Sequence, residues 1–173
     1  WAVINAAAWT DVDGCEGNVE KAYTVNALGA ENVAAAAVKA GARMAYISTD
    51  YVFDGFKNTP YAEADEPNPL SIYGKSKLEG EILTRKAAPE ALTVRSSWLF
   101  GMGRSNFVMR LFELVMVKKE IPVVTDRRGT PTYTADLAEA VAALLEKGAS
   151  GLFHVSNAGE CSWYEYAVEI IKV

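Results

Sequence analysis

A hydroxyl, a phenol and an amine follow one another in the middle of the chain, on Thr49, Tyr73 and Lys77. The spacing Tyr-x-x-x-Lys places the phenol and the amine one turn apart on the same face of a helix. A Tyr and a Lys occur at this spacing in many helices, so the pair alone is equally typical of a solvated helix face. The surrounding elements must therefore decide whether these groups form a site.

The position of Thr49 favours a site. This residue follows a predicted strand over Arg43–Ser48, and open α/β sheets bind ligands at the carboxyl ends of their parallel strands. A phenol at its ordinary pKa of about 10 gives up its proton poorly at neutral pH, but a nearby ammonium and a cationic nicotinamide both favour the phenolate and lower that pKa. We therefore expect Tyr73 to pass its proton to a carbonyl oxygen as hydride reaches the carbon.

The elements that position these residues alternate between short β-branched runs and longer helical patterns, which is typical of βαβ units and a parallel sheet. The predicted strands are Ala2–Ala7, Arg43–Ser48, Leu92–Ser97, Pro122–Thr125 and Gly151–Ser156. The predicted helices are Val19–Ala40, Ile72–Ala88, Asn106–Lys119, Asp136–Lys147 and Ser162–Val173. The connection Asp50–Ser71 exceeds the usual length, which favours a functional loop over a plain solvated excursion.

Composition limits the possible partners and the compartment. The 173 residues are 50% hydrophobic and 23% charged, which suits one soluble core. A net charge of −5 argues against a nucleic-acid partner, and no apolar run is long enough to span a membrane, so we expect a cytoplasmic protein. Cys15 and Cys161 suggest neither a zinc site nor a disulfide. Because Trp1 opens the chain directly before a predicted strand, we expect a longer polypeptide.

Several segments resemble, in order, the signatures of the dTDP-4-dehydrorhamnose reductases, within the short-chain dehydrogenases/reductases of the extended, nucleotide-sugar-modifying kind. The similarity covers nearly the whole chain. Its segments are Val3–Thr10 (VINAAAWT), Ser48–Gly55 (STDYVFDG), Pro60–Glu63 (PYAE), Tyr73–Glu81 (YGKSKLEGE) and Gly129–Thr132 (GTPT). The resemblance implies a doubly wound, Rossmann-like α/β fold with a small substrate lobe, and the Ser/Thr-Tyr-Lys triad of that superfamily.

Carried over to this sequence, the resemblance makes Tyr73 the general acid and Lys77 the ribose ligand that modulates the phenol's pKa. Thr49 becomes the second hydrogen-bond donor to the substrate oxygen. Asn26 matches an asparagine of the helix beside the active site.

The resemblance also implies the lining of the site. Ala6, Ala7 and Thr10 would line a nicotinamide cofactor, either NADPH or NADH. Trp98 and Asn106 would lie against the sugar of a dTDP-linked deoxy-hexulose, although Trp98 has even odds of being ordinary core. Whether the protein binds a magnesium ion stays open, since no metal ligands are identifiable. Whether it forms a homodimer stays open as well.

The same resemblance divides the chain and marks what it lacks. Residues 1–101 are expected to form the C-terminal part of the NAD(P)-binding domain, 102–131 a segment of the substrate lobe, 132–161 a return to the sheet and 162–173 the start of a further helix. The first strands and the glycine-rich turn that holds a dinucleotide pyrophosphate are missing from these residues. This chain alone is thus expected to be inactive and to bind NAD(P)H weakly.

Two rival functions remain. A nucleotide-sugar epimerase or dehydratase shares the triad, but dehydratases need a further acid/base pair, and Tyr51 stands where its glutamate is expected after Asp50. A regulatory subunit similar to the β subunit of methionine adenosyltransferase would share the fold without turnover. The intact triad favours an enzyme.

The other polar residues have plainer interpretations. His154, inside an apolar strand, is expected to be structural. Arg127 and Arg128 suit either a diphosphate or the surface. The loop acids are interpreted as solvated charges without metal-ligand spacing: Asp50, Asp54, Glu63 and Asp65.

Overall fold

Four of the predicted strands form one parallel sheet. The computed structural model describes residues 1–103 and 105–172. The strands are β1 (Ala2–Asn5), β2 (Arg43–Thr49), β3 (Leu92–Ser96) and β7 (Gly151–His154), in the order β1-β2-β3-β7. Every neighbouring pair is parallel, and Thr49 lies opposite Ser96 in the β2–β3 register. The predicted α/β fold with a parallel sheet is confirmed.

The helices that flank this sheet are α1 (Val12–Glu16), α2 (Val19–Tyr23), α3 (Gly29–Lys39) and α4 (Ile72–Ala87). The predicted helix Val19–Ala40 is continuous but widens into a π-helical turn over Thr24–Leu28. Its end follows the prediction, because Gly41 adopts a φ of 63°, which glycine tolerates without strain. The helix packs closely on the sheet through one face of small side chains, Ala30, Ala34 and Ala37, each at most 2% exposed.

The remaining elements are β4 (Leu99–Phe100), α5 (Phe107–Val115), β5 (Arg128–Gly129), β6 (Thr132–Tyr133), α6 (Thr134–Glu146), β8 (Cys161–Ser162) and α7 (Trp163–Ile171). Strand β4 pairs with β6, and β5 pairs antiparallel with β8. Helix α7 begins at a capping box in which Ser162 and Glu165 bond each other's backbone N–H, as the predicted N-cap requires. The predicted last residue of that helix, Val173, lies outside the described residues.

The predicted strand Pro122–Thr125 is wrong, since these four residues form no strand. Proline has no N–H to donate, and the carbonyl of Val124 accepts a bond from the N–H of Tyr164 at the start of α7 instead of a ladder bond. The pairing occurs slightly later in the chain, between Arg128 and Ser162.

The chain divides into two compact units. The first comprises Trp1–Ser96 and Val141–His154, and the second comprises Ser97–Ala140 and Val155–Val173. This division differs from the expected boundaries, because it follows Ser96 rather than Gly101, and because only part of residues 132–161 joins the sheet. All three triad candidates lie in the first unit.

Candidate active site

The threonine, tyrosine and lysine are brought together at the carboxyl end of the second strand of the sheet. Thr49 is the last residue of β2, and Tyr73 and Lys77 lie on one face of α4. The helix begins where the hydroxyl of Ser71 accepts a bond from the N–H of Gly74 at 3.1 Å. A Cβ on Gly74 would collide with the carbonyl of Tyr51, so glycine lets the helix approach the residues that follow Thr49.

Tyr73 is 8% exposed, and its ring packs edge-on against that of Tyr51, two residues after Thr49, with 5.5 Å between centroids. The pKa of Tyr73 is raised to about 12, mainly by burial, with the hydroxyl of Thr49 lowering it and the nearby Asp50 raising it. The expectation that an ammonium lowers this pKa is therefore not met here, because desolvation of the phenolate outweighs the other effects. Tyr73 holds its proton at neutral pH.

Lys77 is 2% exposed, and its ammonium donates to the carbonyl of Ile47 at 2.7 Å. The same Nζ lies 4.1 Å from the centre of the Tyr46 ring. Burial lowers the pKa of Lys77 to about 7, and the charge of Glu81 acts in the opposite direction. The amine is thus poised between its charged and neutral forms near physiological pH.

Asp50 is not the solvated charge that the sequence suggests. Its carboxylate accepts a bond from the hydroxyl of Thr49 at 3.2 Å, and burial raises its pKa to about 6. Its place directly after the strand-terminal threonine was the available signal, since such positions face the ligand edge of the sheet. The loop acids Asp54 and Asp65 keep a lowered pKa through hydrogen bonds to Tyr61 and Lys57 respectively.

Asn26 lies in the π-helical turn and is 1% exposed. Its side chain accepts from the N–H of Trp9 at 2.8 Å and donates to the carbonyl of the same residue at 3.1 Å. It also donates to the hydroxyl of Ser76 on α4 at 3.0 Å. The asparagine thereby joins the loop after β1 to the helix that carries Tyr73 and Lys77.

The expected cofactor-lining residues Ala6, Ala7 and Thr10 belong to that loop, and all three are exposed. The loop leaves the carboxyl end of β1, whose last residue, Asn5, is paired with Tyr46 of β2. Small exposed side chains beside the strand that ends in Thr49 leave room for a flat ring to approach the backbone. These residues therefore fit a nicotinamide cofactor.

The two expected sugar contacts lie in the second unit. Trp98 has a φ of 46°, unusual for a residue with a large side chain, and its ring stacks on Trp163 with 3.7 Å between centroids. Asn106 caps α5 by accepting from the N–H of Met109 at 3.3 Å, and it donates to the carbonyl of Gly101 at 2.8 Å. Both side chains already have structural roles, and their contact with a sugar stays a prediction.

A buried ion pair in the first unit was missed by the sequence analysis. Arg95 on β3 binds both carboxylate oxygens of Glu81 on α4, at 2.8 and 2.7 Å, and Ser48 on β2 donates to the same carboxylate at 2.5 Å. The signal was present in the sequence, since Glu81 continues the helical face of Tyr73 and Lys77 at the same spacing.

The remaining candidates have structural surroundings. The backbone N–H of His154 donates to Glu63 and its Nδ1 lies 3.2 Å from the carbonyl of Tyr61, as suits a structural histidine. Arg128 is half exposed and pairs with Glu160 and Glu165, which favours the surface interpretation.

Searches for other kinds of site gave three results. Both cysteines are free thiols. No group of three or more His, Cys, Asp or Glu side chains within residues 1–103 and 105–172 is arranged to hold a metal ion. In the same part of the chain, no helix is long and apolar enough to cross a membrane.

Comparisons with known proteins agree with this geometry. The spore coat polysaccharide biosynthesis protein SpsK of Bacillus subtilis is 48% identical over 170 residues, which cover 98% of this chain and 60% of that protein. A dTDP-4-dehydrorhamnose reductase of Mycobacterium tuberculosis is 44% identical over 98% of this chain and 58% of its own length. This chain thus spans about 60% of the length of the relatives it matches.

Solved structures extend the comparison. A crystal structure of a dTDP-4-dehydrorhamnose reductase from Clostridium acetobutylicum superposes with a TM-score of 0.96 at 48% identity, over 99% of this chain and 61% of that one. The Bacillus anthracis reductase in complex with NADP gives a TM-score of 0.95 at 43% identity, with the same shares covered. A dTDP-glucose 4,6-dehydratase from Streptomyces venezuelae, at 20% identity, shares the fold. The profile of the RmlD substrate binding domain matches residues 1–173, and the chain belongs to that family.

Proposed function

We propose that these residues belong to an NAD(P)H-dependent reductase that converts the C4 keto group of dTDP-4-dehydro-L-rhamnose to the hydroxyl of dTDP-L-rhamnose, a precursor of cell-surface polysaccharide. The observation that carries the proposal is the placement of Thr49 at the end of β2, where its hydroxyl lowers the pKa of Tyr73, with Lys77 one turn further along α4 and bonded to Ile47 of the same strand. Relatives that are dTDP-4-dehydrorhamnose reductases support the choice of sugar nucleotide. A precursor role agrees with the name of the Bacillus subtilis relative.

The roles of the side chains follow from their protonation states. Tyr73, with a pKa of about 12, keeps its proton until a stronger base forms beside it. The alkoxide left when hydride reaches C4 is such a base, so the proton moves from the phenol to the sugar oxygen. The hydroxyl of Thr49 is the second donor to that oxygen. When bound, the reduced nicotinamide supplies the hydride.

Lys77 and the loop after β1 are the residues that would hold the cofactor. One proton of the Lys77 ammonium is used on Ile47, which leaves others for the ribose hydroxyls. Ala6, Ala7 and Thr10 would line the ring. The complex of a relative with NADP supports this cofactor class. Contacts of Trp98 and Asn106 with the sugar, a homodimer and a cytoplasmic location belong to the same proposal.

The test is an assay of turnover by the full-length polypeptide with dTDP-4-keto-6-deoxy-L-mannose and either NADPH or NADH. Turnover is measured through the oxidation of the nicotinamide. Formation of dTDP-L-rhamnose supports the proposal. A folded protein that binds the cofactor and the sugar nucleotide without turnover would instead favour the regulatory binding module. Loss of water from a dTDP-hexose without net oxidation of the nicotinamide would favour the dehydratase.

A further inference from the structure

The first unit contains a buried ion pair that the proposed reaction does not use. Glu81 is 8% exposed and Arg95 is 5% exposed. The two nitrogens of Arg95 reach the two oxygens of Glu81 in parallel, which is the strong bidentate form of this contact. Phe53 adds a ring 5.1 Å from the guanidinium. The carboxylate of Glu81 is therefore held in a single orientation.

This carboxylate joins the elements that carry the candidate catalytic groups. Ser48, which donates to it at 2.5 Å, directly precedes Thr49 on β2. On α4 the carboxylate lies one turn after Lys77 and two turns after Tyr73. A shift of the helix along the strand would break these bonds, so the contact fixes where the phenol and the ammonium stand relative to Thr49.

Stability alone is a weak reason for such a pair. Taking two charges out of water costs more than their attraction returns in many proteins, and well-packed apolar residues often serve as well. Arg95 instead holds the negative carboxylate of Glu81 at a fixed place on the face of α4 that carries Tyr73 and Lys77. The charge of this carboxylate acts on Lys77: it raises the pKa of the ammonium, against the lowering effect of burial.

The surroundings of Lys77 contain few other charges of this sign. The buried titratable and charged side chains on the elements around this part of α4 are Cys15 on α1, Tyr46 on β2, Tyr73 and Glu81 on α4 itself, and Arg95 on β3, with Asp50 half-buried after β2. Burial raises the pKa of Cys15, Tyr46 and Tyr73, which keeps these groups neutral at physiological pH. Glu81 is the group whose charge acts on the Lys77 ammonium.

We propose that Glu81, clamped by Arg95 and Ser48, is a positioning residue for Lys77: it fixes helix α4 against strand β2 and places a negative charge one turn from the ammonium. The proposal rests on the proposed reductase function, because it assigns Glu81 a task within that reaction. It predicts two separable effects, one on the placement of the catalytic groups and one on the charge of Lys77.

The experiment compares pH profiles of kcat and KM in the full-length polypeptide. Glu81→Gln keeps the shape of the side chain and removes its charge. Activity that needs the ammonium is lost as pH rises through the pKa of Lys77, which gives the kcat profile a descending limb at high pH. A lower pKa of Lys77 moves this limb to lower pH. We expect a shift of about 0.5–1 pH unit, toward the low end of what an opposite charge at close range produces.

Arg95→Lys isolates the placement effect, because it keeps the positive charge but loses the bidentate geometry. We expect kcat to fall about 10-fold with the limb unmoved, since small displacements of catalytic groups are costly. Glu79→Gln is the matched control, because it makes the same change of charge on α4 without a bond to Arg95 or Ser48. We expect it to leave kcat and the limb unchanged.

The outcomes separate the inference from the function on which it rests. A wild-type protein without turnover overturns the proposed reductase. An active wild type whose limb is unmoved in Glu81→Gln overturns the electrostatic role and leaves Glu81 as a structural residue. If Glu81→Gln does not fold by circular dichroism, Arg95→Lys decides, since an unchanged kcat in that variant contradicts the positioning role.

Discussion

Replacing Asn26 by alanine tests how the loop after β1 is held to helix α4. The side chain makes three hydrogen bonds, two with the backbone of Trp9 and one with Ser76, and is 1% exposed. Each bond contributes roughly 1 kcal/mol net to the free energy of unfolding, so the three bonds together account for roughly 3 kcal/mol. Leaving the part-buried backbone groups of Trp9 without partners adds to this loss, so we expect the free energy of unfolding to fall by about 3–5 kcal/mol.

The measurement is urea unfolding of Asn26→Ala beside wild type, monitored by tryptophan fluorescence and by circular dichroism. Asn18→Ala is the control, because the side chain of Asn18 makes one exposed bond, to the carbonyl of Gly14 at 3.1 Å. We expect the control to cost at most about 0.5 kcal/mol, as surface substitutions usually do. Equal losses for the two variants would show that the loop is held by other contacts and would refute the reasoning.

Three further predictions concern the catalytic helix. Tyr73→Phe keeps the ring but removes the proton donor, so kcat should fall about 100-fold or more with KM little changed; near-normal turnover would exclude Tyr73 as the acid. The pKa of Lys77 is about 7 in the folded protein, against 10.5 in the unfolded chain. Between these two pH values the unfolded chain binds more protons than the folded one, so the free energy of unfolding rises with pH in that range. Lys77→Met should flatten that rise in unfolding experiments between pH 7 and pH 10, and an unchanged slope would contradict the depressed pKa. Gly80→Ala should cost about 1–3 kcal/mol in the same assay, because its Cβ meets the carbonyl of Asn26 and the hydroxyl of Tyr46; Gly17→Ala, with open space around it, is its control and should be near neutral.

The sequence predicts most of the sheet because its strands are short β-branched runs between helical patterns. Strand β3 is buried along its whole length, and the β-branched Thr93 and Val94 at its centre mark it as a strand although Arg95 and Ser96 are polar. The segment Pro122–Thr125 has similar composition, but a short run cannot show whether its backbone will meet a partner strand. In the fold, the carbonyl of Val124 instead accepts a hydrogen bond from the backbone N–H of Tyr164 at the start of α7. Strand pairing over short segments is a tertiary property, and local pattern does not determine it.

The triad was predictable for a related reason, since Tyr73 and Lys77 are spaced by a helical turn and Thr49 ends a strand. The protonation states were not. Sequence suggests that an ammonium lowers the pKa of Tyr73, whereas burial raises it to about 12 and lowers that of Lys77 to about 7. Desolvation depends on how many atoms surround a group after folding, and no local spacing reports that number.

Helix α4 joins these observations, because one of its faces carries Tyr73, Lys77 and Glu81 at successive turns. Each interacts with a different part of β2: the ammonium donates to the carbonyl of Ile47, the carboxylate accepts from the hydroxyl of Ser48, and the phenol has its pKa lowered by the hydroxyl of Thr49. Since the three interactions share one rigid helix, the position of any one determines the other two. A glycine at each of positions 74 and 80 permits this close approach, because a Cβ there would strike neighbouring backbone. In the proposed reductase, the placement of the three triad candidates thus depends on where α4 sits along β2, and the buried Glu81–Arg95 pair is the contact that we propose sets it.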